Sequence, residues 1–529
     1  MDGEQTSFLM PVGMSLNPNN RWVRLAKLVP WSVAETAYQA HFDGRKGGPT
    51  PHPVRVALGA LIIKERLGLT DRETVEQIRE NPYLQYFIGK AAFTDDPPFD
   101  HSTLATFRRR LGDDCINTVN TALVSQQLES ASDDASDDDL DGGASRGDGD
   151  VVGLDGKSDT RPPSGHLLID ATCAPADITY PTDLKLLDHA RRLCEEAIDV
   201  LHEPHVGTRS KPRTYRQNAR RDFLRSAKKK NLTQRRRRAA VGKQLRYLRR
   251  DLKHIHRLVA KSPQCLRQLG KDSYRKLVVV HEIYRQHEIL YRTGARRIDD
   301  RIVNIAQPHV RPIVRGKAHA NTEFGAKISV SSYHGYATLD RISWDAYHEG
   351  GDLCAQAEAY RERCGCYPAV ICADRIYRTR ANRRWCAERS IRLSGMPPGR
   401  PCADPAEQRQ RERQVRADEA ARQPIEGVFG CGKRRYGLSR IMDKTAATSA
   451  CVIALVFLVM NLETALVSLC ALVPLVIAAF WSSWRATWCL AAPSTAVTSG
   501  AKPTLGRAPH FWQGYCRASE LGPRPYIGG

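Results

Sequence analysis

A chain of 529 residues with a net charge of +22 and a pI near 9.5 has room for roughly two to four domains and points to a polyanionic partner, nucleic acid first. Its 15 cysteines are scattered, and beyond the C-x-C of Cys364 and Cys366 no second pair has zinc-finger or ribbon spacing, which excludes those metal folds. Met1 to Asn20 has neither a basic start nor an apolar run, so no export signal is expected and the cysteines read as reduced cytosolic thiols.

The charge is uneven. Between Arg209 and Arg257 there are 20 Lys and Arg residues against only Asp222 and Asp251, and between Glu129 and Asp150 there are nine acids against Arg146. A basic run can be a solvated face, but one this dense repels itself, and a phosphate partner accounts for it better. Arg235, Arg236, Arg237 and Arg238 form its densest part.

Trp22 to Gly112 reads as compact and helical. Val54, Ala57, Leu58, Leu61, Ile62 and Leu67 recur at helical spacing. Thr70 and Glu73 form a capping box opening a second helix over Arg72–Arg79, before Pro82. A further capped helix from Asp100 ends at Gly112, with Arg108, Arg109 and Arg110 in its last turn. Short capped helices with basic ends suit a helix-turn-helix on DNA, and equally a plain packing domain. Glu129–Gly165 is rich in Asp, Ser and Gly and reads as an acidic linker, either a spacer or a competitor with DNA for the basic segments.

His166-Leu-Leu-Ile-Asp170 is a short apolar run ending in an acid, the pattern of a buried strand that Pro175 limits. Leu184–Asp300 is mostly helical. Val241, Leu245, Leu248, Leu252, Ile255 and Val259 form one stripe, and Leu277, Val280, Ile283, His287 and Leu290 a second, predicting an inserted helical hairpin with a basic outer surface. Lys327–Asp340 reads as a β-hairpin turning at His334-Gly335, and Asp352–Cys364 as a helix. Pro368-Ala-Val-Ile-Cys-Ala-Asp374 is a second apolar run closing on an acid, and a helix is expected over Asn382–Arg389. Ala406–Arg422 has the charge density of an exposed helix. After Lys444 the chain turns apolar. Cys451–Leu462 reads as a buried helix, and Ala465–Trp481 lies at the lower length limit for a membrane span, although Pro474 and the adjacent Glu463 count against one. The remaining tail lacks periodicity.

Three acids stand out: Asp170 and Asp374 at the ends of apolar runs, and Glu426 on the helix of Ala406–Arg422 if that helix continues. Arg422 and Lys433 then fall within about 40° of Glu426 around the axis. Gly427, Gly430 and Gly432 weaken that continuation. Two strand carboxylates and one helix carboxylate in a basic chain suit two Mg²⁺ or Mn²⁺ ions and phosphodiester chemistry. Taken singly, each strand-end Asp is also a common turn former.

Ile425-Glu-Gly-Val-Phe-Gly-Cys-Gly-Lys-Arg-Arg-Tyr-Gly-Leu438 resembles the catalytic-glutamate signature of bacterial insertion-sequence DDE transposases. The stretches around Asp170 and Asp374 resemble their two aspartate regions, and Pro53–Gly112 their N-terminal helical domain. The resemblance covers roughly residues 20–115 and 165–465. It implies an α/β fold: a ribonuclease H-like mixed-sheet catalytic core with a helical-hairpin insertion, preceded by an all-α domain. The expected layout is a DNA-binding domain over 1–128, a disordered acidic linker over 129–165, a catalytic domain over 166–464 with its insertion at about 184–300, and an irregular tail over 465–529. In the Tyr-x2-Arg-x3-Glu-x6-Lys pattern of this family, Arg422, Glu426 and Lys433 match, while Glu419 stands where tyrosine is expected.

The resemblance further implies Asp170, Asp374 and Glu426 as ligands to two divalent ions, and hydrolysis at element ends before the freed 3′-hydroxyl attacks target DNA. Arg422 and Lys433 position phosphates, with Arg434, Arg435 and the basic insertion as further DNA contacts. The implied partner is double-stranded DNA, bound by a homodimer in the cytoplasm at the nucleoid, with no membrane and no small-molecule substrate. A ribonuclease H-like nuclease without strand transfer shares the same acids. A catalytically inactive DNA-binding relic is the other alternative.

Overall fold

The computed structural model describes residues 15–42, 50–136, 162–229, 231–314, 322–396, 399 and 404–490, with side chains at 131–136 and 470–490 outside the description. The chain divides into a unit ending at Leu469 and a second from Cys470, of which only helix backbone to Leu490 is described. Most of the expected acidic linker, 137–161, and the tail beyond 490 lie outside the described residues.

Six helices come first: α1 (Arg21–Leu28), α2 (Trp31–Gln39), α3 (Val54–Leu67), α4 (Asp71–Glu80), α5 (Pro82–Phe87) and α6 (Thr103–Ser136). The Thr70 hydroxyl accepts from the Glu73 amide at 3.2 Å, capping α4 as its sequence predicts. The return half of the box differs, because the Glu73 carboxylate accepts from Gln77 Nε2 instead. Gly112 breaks the helical backbone with φ 64° and ψ −177°, values open to glycine, but a second helical run begins at once and carries α6 past Glu129 to Ser136. Ile116, Val119 and Leu123 bury one face of that run, and this packing outweighs the weak helix preference of its polar end.

One mixed sheet organises the remainder. Its strands are β1 (His166–Pro175), β2 (Arg311–Val314), β3 (Thr322–Tyr333), β4 (Tyr336–Ser343), β5 (Val370–Ala373) and β6 (Arg392–Leu393). β1 lies at the centre, antiparallel to β3 and parallel to β5, and β6 runs parallel to β5. The far edge of β3 is shared: β2 pairs with Thr322–Gly325 and β4 with Lys327–Tyr333. The β3–β4 hairpin turns at His334 and Gly335 with φ of 51° and 83°, the paired positive values that a two-residue turn of matching twist needs.

Between β1 and β2 stand α7 (Asp183–His202), α8 (Arg216–Ala227), α9 (Gln234–Lys261) and α10 (Lys271–Thr293). The predicted hairpin is therefore part of a larger bundle. The α9 stripe of Leu245, Leu248, Leu252 and Ile255 packs with Leu187, Cys194, Ile198 and Leu201 of α7 as well as with Leu277, Val280 and Ile283 of α10. An apolar stripe this wide is not covered by one antiparallel neighbour.

The last helices are α11 (Leu353–Cys364), α12 (Arg380–Ala387), α13 (Pro405–Arg435) and α14 (Ala446–Leu490). Strand alternation sorts the sheet into two faces. Leu168, Ala174, Val370 and Cys372 join one apolar core with α13, α14 and the N-terminal helices. Leu167, Ile169, Ile371 and Ala373 face Leu353, Ala357 and Tyr360 of α11. Asn461 of α14 is buried, accepting from Ala337 N at 2.9 Å and donating to Ala337 O and to Asn120 of α6. It thereby joins α14, the edge of the sheet and the N-terminal helices. The Ala446–Leu469 part of α14 is long and apolar enough to cross a membrane, but 78 % of its most apolar window is buried inside the protein.

Asp251 is a buried acid within the insertion bundle. Burial pushes its carboxyl up to about 7; Arg250 and Arg191 oppose the shift and Glu195 adds to it. The folded chain thus favours the neutral form. The associated stability is complete below pH 3.8 and is lost as pH rises through about 7. Asp251→Asn removes that loss, and its urea midpoint relative to the parent is expected to rise more at about pH 8 than at about pH 5.

Candidate active site

The parallel pairing of β1 and β5 sets Ile169 beside Ala373, so the next residue on each chain, Asp170 and Asp374, is an acid at the same level. Both share the parity of Leu168 and Cys372, which directs them to the face covered by α13. Asp374 is exposed and caps the 3₁₀ turn Arg375–Tyr377, its carboxylate accepting from the Arg375 amide at 2.6 Å. Asp170 is half-buried, and its carboxylate accepts from the Ala171 amide at 2.8 Å. Burial pushes the Asp170 carboxyl above its ordinary range. The Ala171 amide and Arg422 hold it down, and the charges of Glu349 and Asp374 add to the push.

α13 runs unbroken from Pro405 to Arg435 despite Pro424 and the three glycines. Ile425, Phe429 and Gly432 are buried against the core, and tertiary packing carries the helix through residues of low propensity. Arg422 donates to Glu426 Oε1 at 2.6 Å and to Asp170 Oδ2 at 3.1 Å. One guanidinium thus bridges the helix acid and the strand acid. Lys433 Nζ donates to Thr172 Oγ1 at 3.0 Å, two residues along β1 from Asp170. Arg422, Glu426 and Lys433 therefore do share one face. Glu419 is exposed, and its neighbour Asp418 is buried in a two-pronged pair with Arg392 at 2.8 Å.

A fourth carboxylate joins this centre that sequence reading passed over. Glu349 opens the 3₁₀ turn Glu349–Gly351 and pairs with Lys327 Nζ of β3 at 2.8 Å. Asn382 holds this turn to the one after Asp374, donating to Gly350 O at 2.6 Å and Tyr377 O at 2.8 Å. Glu349 comes after a stretch without strand or helix period, and only the tertiary link to Asp374 singles it out.

No group of three or more His, Cys, Asp or Glu side chains among the described residues is gathered closely enough to hold a metal ion. The donor chemistry nevertheless fits a hard divalent cation. The centre presents carboxylate oxygens, and the Arg422 guanidinium already lies as a positive charge between Asp170 and Glu426. The Tyr377 hydroxyl, buried beside Glu349 and Asp170, has no hydrogen-bond partner among the described residues.

The basic residues expected on DNA divide. Arg235, Arg236 and Arg237 are exposed at the start of α9, where the helix dipole disfavours cations, so their placement suits an external phosphate better than the helix itself. Arg238 lies over the Tyr291 ring and donates to Tyr291 O. Arg434 and Arg435 are exposed at the end of α13, and Arg109 is exposed on α6. Arg110 is half-buried over the Phe42 ring. Arg108 corrects the expectation. It is buried, doubly hydrogen-bonded to Asp71 at 3.0 and 2.8 Å, and paired with Asp443 at 2.9 Å, so it ties α4 and the chain before α14 together and offers nothing to DNA.

Two family models match the chain. A transposase DDE domain matches residues 371–463, and a transposase domain (DUF772) matches residues 12–110. The chain is also similar to uncharacterized protein ORF8 in the nfe locus of Rhizobium meliloti, 28 % identical over 172 residues, which are 32 % of this chain and 69 % of that protein. No solved structure matches it significantly.

The Arg108 assignment is open to test. Arg108→Ala takes the buried guanidinium from Asp71 and Asp443 and leaves only Lys64, 3.9 Å from Asp71, and urea unfolding is expected to show a loss of about 3 kcal/mol or more, whereas DNA affinity of the folded fraction stays unchanged.

Proposed function

We infer that this chain, a transposase by the two family domains it carries, cuts DNA phosphodiesters at the ends of its element and joins the freed 3′-hydroxyls to target DNA. The observation that carries this reading is the Arg422 bridge: it brings Glu426 of α13 to Asp170 of β1, beside Asp374. The strand order β4–β3–β1–β5–β6, with β5 and β6 parallel to β1, supports a ribonuclease H-like core.

Asp170, Asp374 and Glu426 are the proposed holders of two Mg²⁺ or Mn²⁺ ions, with Glu349 alongside. When bound, such ions activate the attacking oxygen and stabilise the leaving oxygen. The remaining work belongs to the chain's own groups. Arg422, which here bridges Asp170 and Glu426, would offer its planar fork to a phosphate. Lys433, fixed on Thr172, places a second positive charge beside the scissile strand. Arg434, Arg435 and the arginines opening α9 hold the duplex through its backbone. Two element ends must be brought together, so a homodimer on double-stranded DNA is the proposed working form, in the cytoplasm at the nucleoid.

Purified chain, Mg²⁺ and duplex DNA carrying the sequences that flank the gene test this. Asp374→Asn and Glu426→Gln are expected to lower cleavage and joined product about a hundredfold or more with duplex affinity retained. Cleavage unchanged in both variants would overturn the catalytic assignment, and cleavage without joined product would leave a nuclease. Arg235→Ala with Arg236→Ala should reduce the salt dependence of duplex binding, log K against log salt, by about two units of slope.

A further inference from the structure

One large cavity of the described chain is lined by none of the four acids of the proposed site. It is a cleft of about 750 Å³ between the insertion bundle and the β2–β3 edge of the sheet. Lys229, Arg237, Arg296 and Arg297 line it, all exposed and none in an ion pair among the described residues. Several other cations of the bundle are matched: Arg191 with Asp188 and Glu195, Arg216 with Asp199, Arg285 with Glu282. Uncompensated like charges around one concavity repel and favour a polyanion. Three aromatic rings, of Tyr180, Phe223 and Phe324, line the same cleft. Tyr180 is 66 % exposed, and its ring stands edge-on to that of Phe324 with centroids 5.5 Å apart. A tyrosine held so open by one edge contact leaves a face for stacking.

The cleft connects to the acids along β1. From Asp170 to Pro175 the strand covers about 17 Å, and just past it the Ala176 amide donates to Phe324 O at 2.8 Å. That span is about five base steps. Cations mark the way: Lys433 on Thr172, then Arg440 and Lys444 on Asp177. A duplex offers this cleft only phosphates, because its bases are stacked on one another. An unpaired strand offers phosphates and free base faces together.

We propose that this cleft binds unpaired nucleotides of a DNA strand, with a base stacked on Tyr180 and phosphates on Lys229, Arg237, Arg296 and Arg297. The proposal rests on the DNA-processing function inferred for the acids and adds to it a seat for a strand end about five nucleotides from them.

Equilibrium anisotropy tests it with the full chain in EDTA, which separates it from cleavage. The probes are fluorescein-labelled duplexes of mixed sequence, either blunt or with a single-stranded overhang of about five nucleotides. The overhang duplex is expected to bind more tightly than the blunt one. Tyr180→Ala should lose about tenfold on the overhang duplex and under twofold on the blunt one. Arg296→Ala with Arg297→Ala should weaken the overhang duplex more than the blunt. Tyr180 is exposed, so the variant is expected to keep the parent's melting curve; if it does not, the arginine pair decides. Equal losses on both probes, or none, would overturn the proposal. Metal-dependent cleavage abolished by Asp374→Asn would then still stand, and a failure of that cleavage would leave the anisotropy result untouched.

Discussion

The parallel register between β1 and β5 is the constraint on which the site depends. Parallel neighbours need a long crossover, and here the whole insertion, β2, the β3–β4 hairpin and α11 intervene between them. Because Ile169 sits beside Ala373, two acids far apart in the chain arrive at one level and on one face. A slip of one residue would turn one of them toward α11 and leave a carboxylate among Leu353, Ala357 and Tyr360. Burial of Ile169 and Ile371 on one side, and of Leu168 and Cys372 on the other, is what forbids the slip.

Onto that pair α13 adds a third acid and its own counter-charge. Asp170 is held in a setting that disfavours its ionised form, and Arg422 answers that from the helix. The guanidinium offsets the like charges of Asp170 and Glu426 that would otherwise drive the centre apart. The same side chain thus joins the helix to the strand and balances the charge between them.

Much of this was legible in the chain itself. Apolar runs closing on Asp170 and Asp374 signalled strand ends, and helical spacing linked Arg422 to Glu426. Two things escaped for physical reasons, and the helix continuation that places Lys433 stayed open. Lys433 lies beyond glycines whose local preference opposes a helix, and only packing of Phe429 and Gly432 restores it. Glu349 is carried by a turn whose position is set by Asn382. Arg108 shares its turn with Arg109, and helical phase relative to partners distant in sequence decides that one is buried and the other wet. Local pattern carries periodicity and capping, whereas long-range pairing of charges has no local signature.

The insertion bundle leaves the sheet after β1 and returns before β2, and its two ends are tied to each other: Arg301 pairs with Asp183 at 2.6 Å, and Gln307 donates to Asp177 O. Its apolar core is separate from those of the sheet. A segment whose entry and exit are stapled together, with an interior of its own, is interchangeable. Its length and surface can change without disturbing the strand that carries Asp170. Changes to its surface charge leave the level of Asp170 and Asp374 as the sheet sets it.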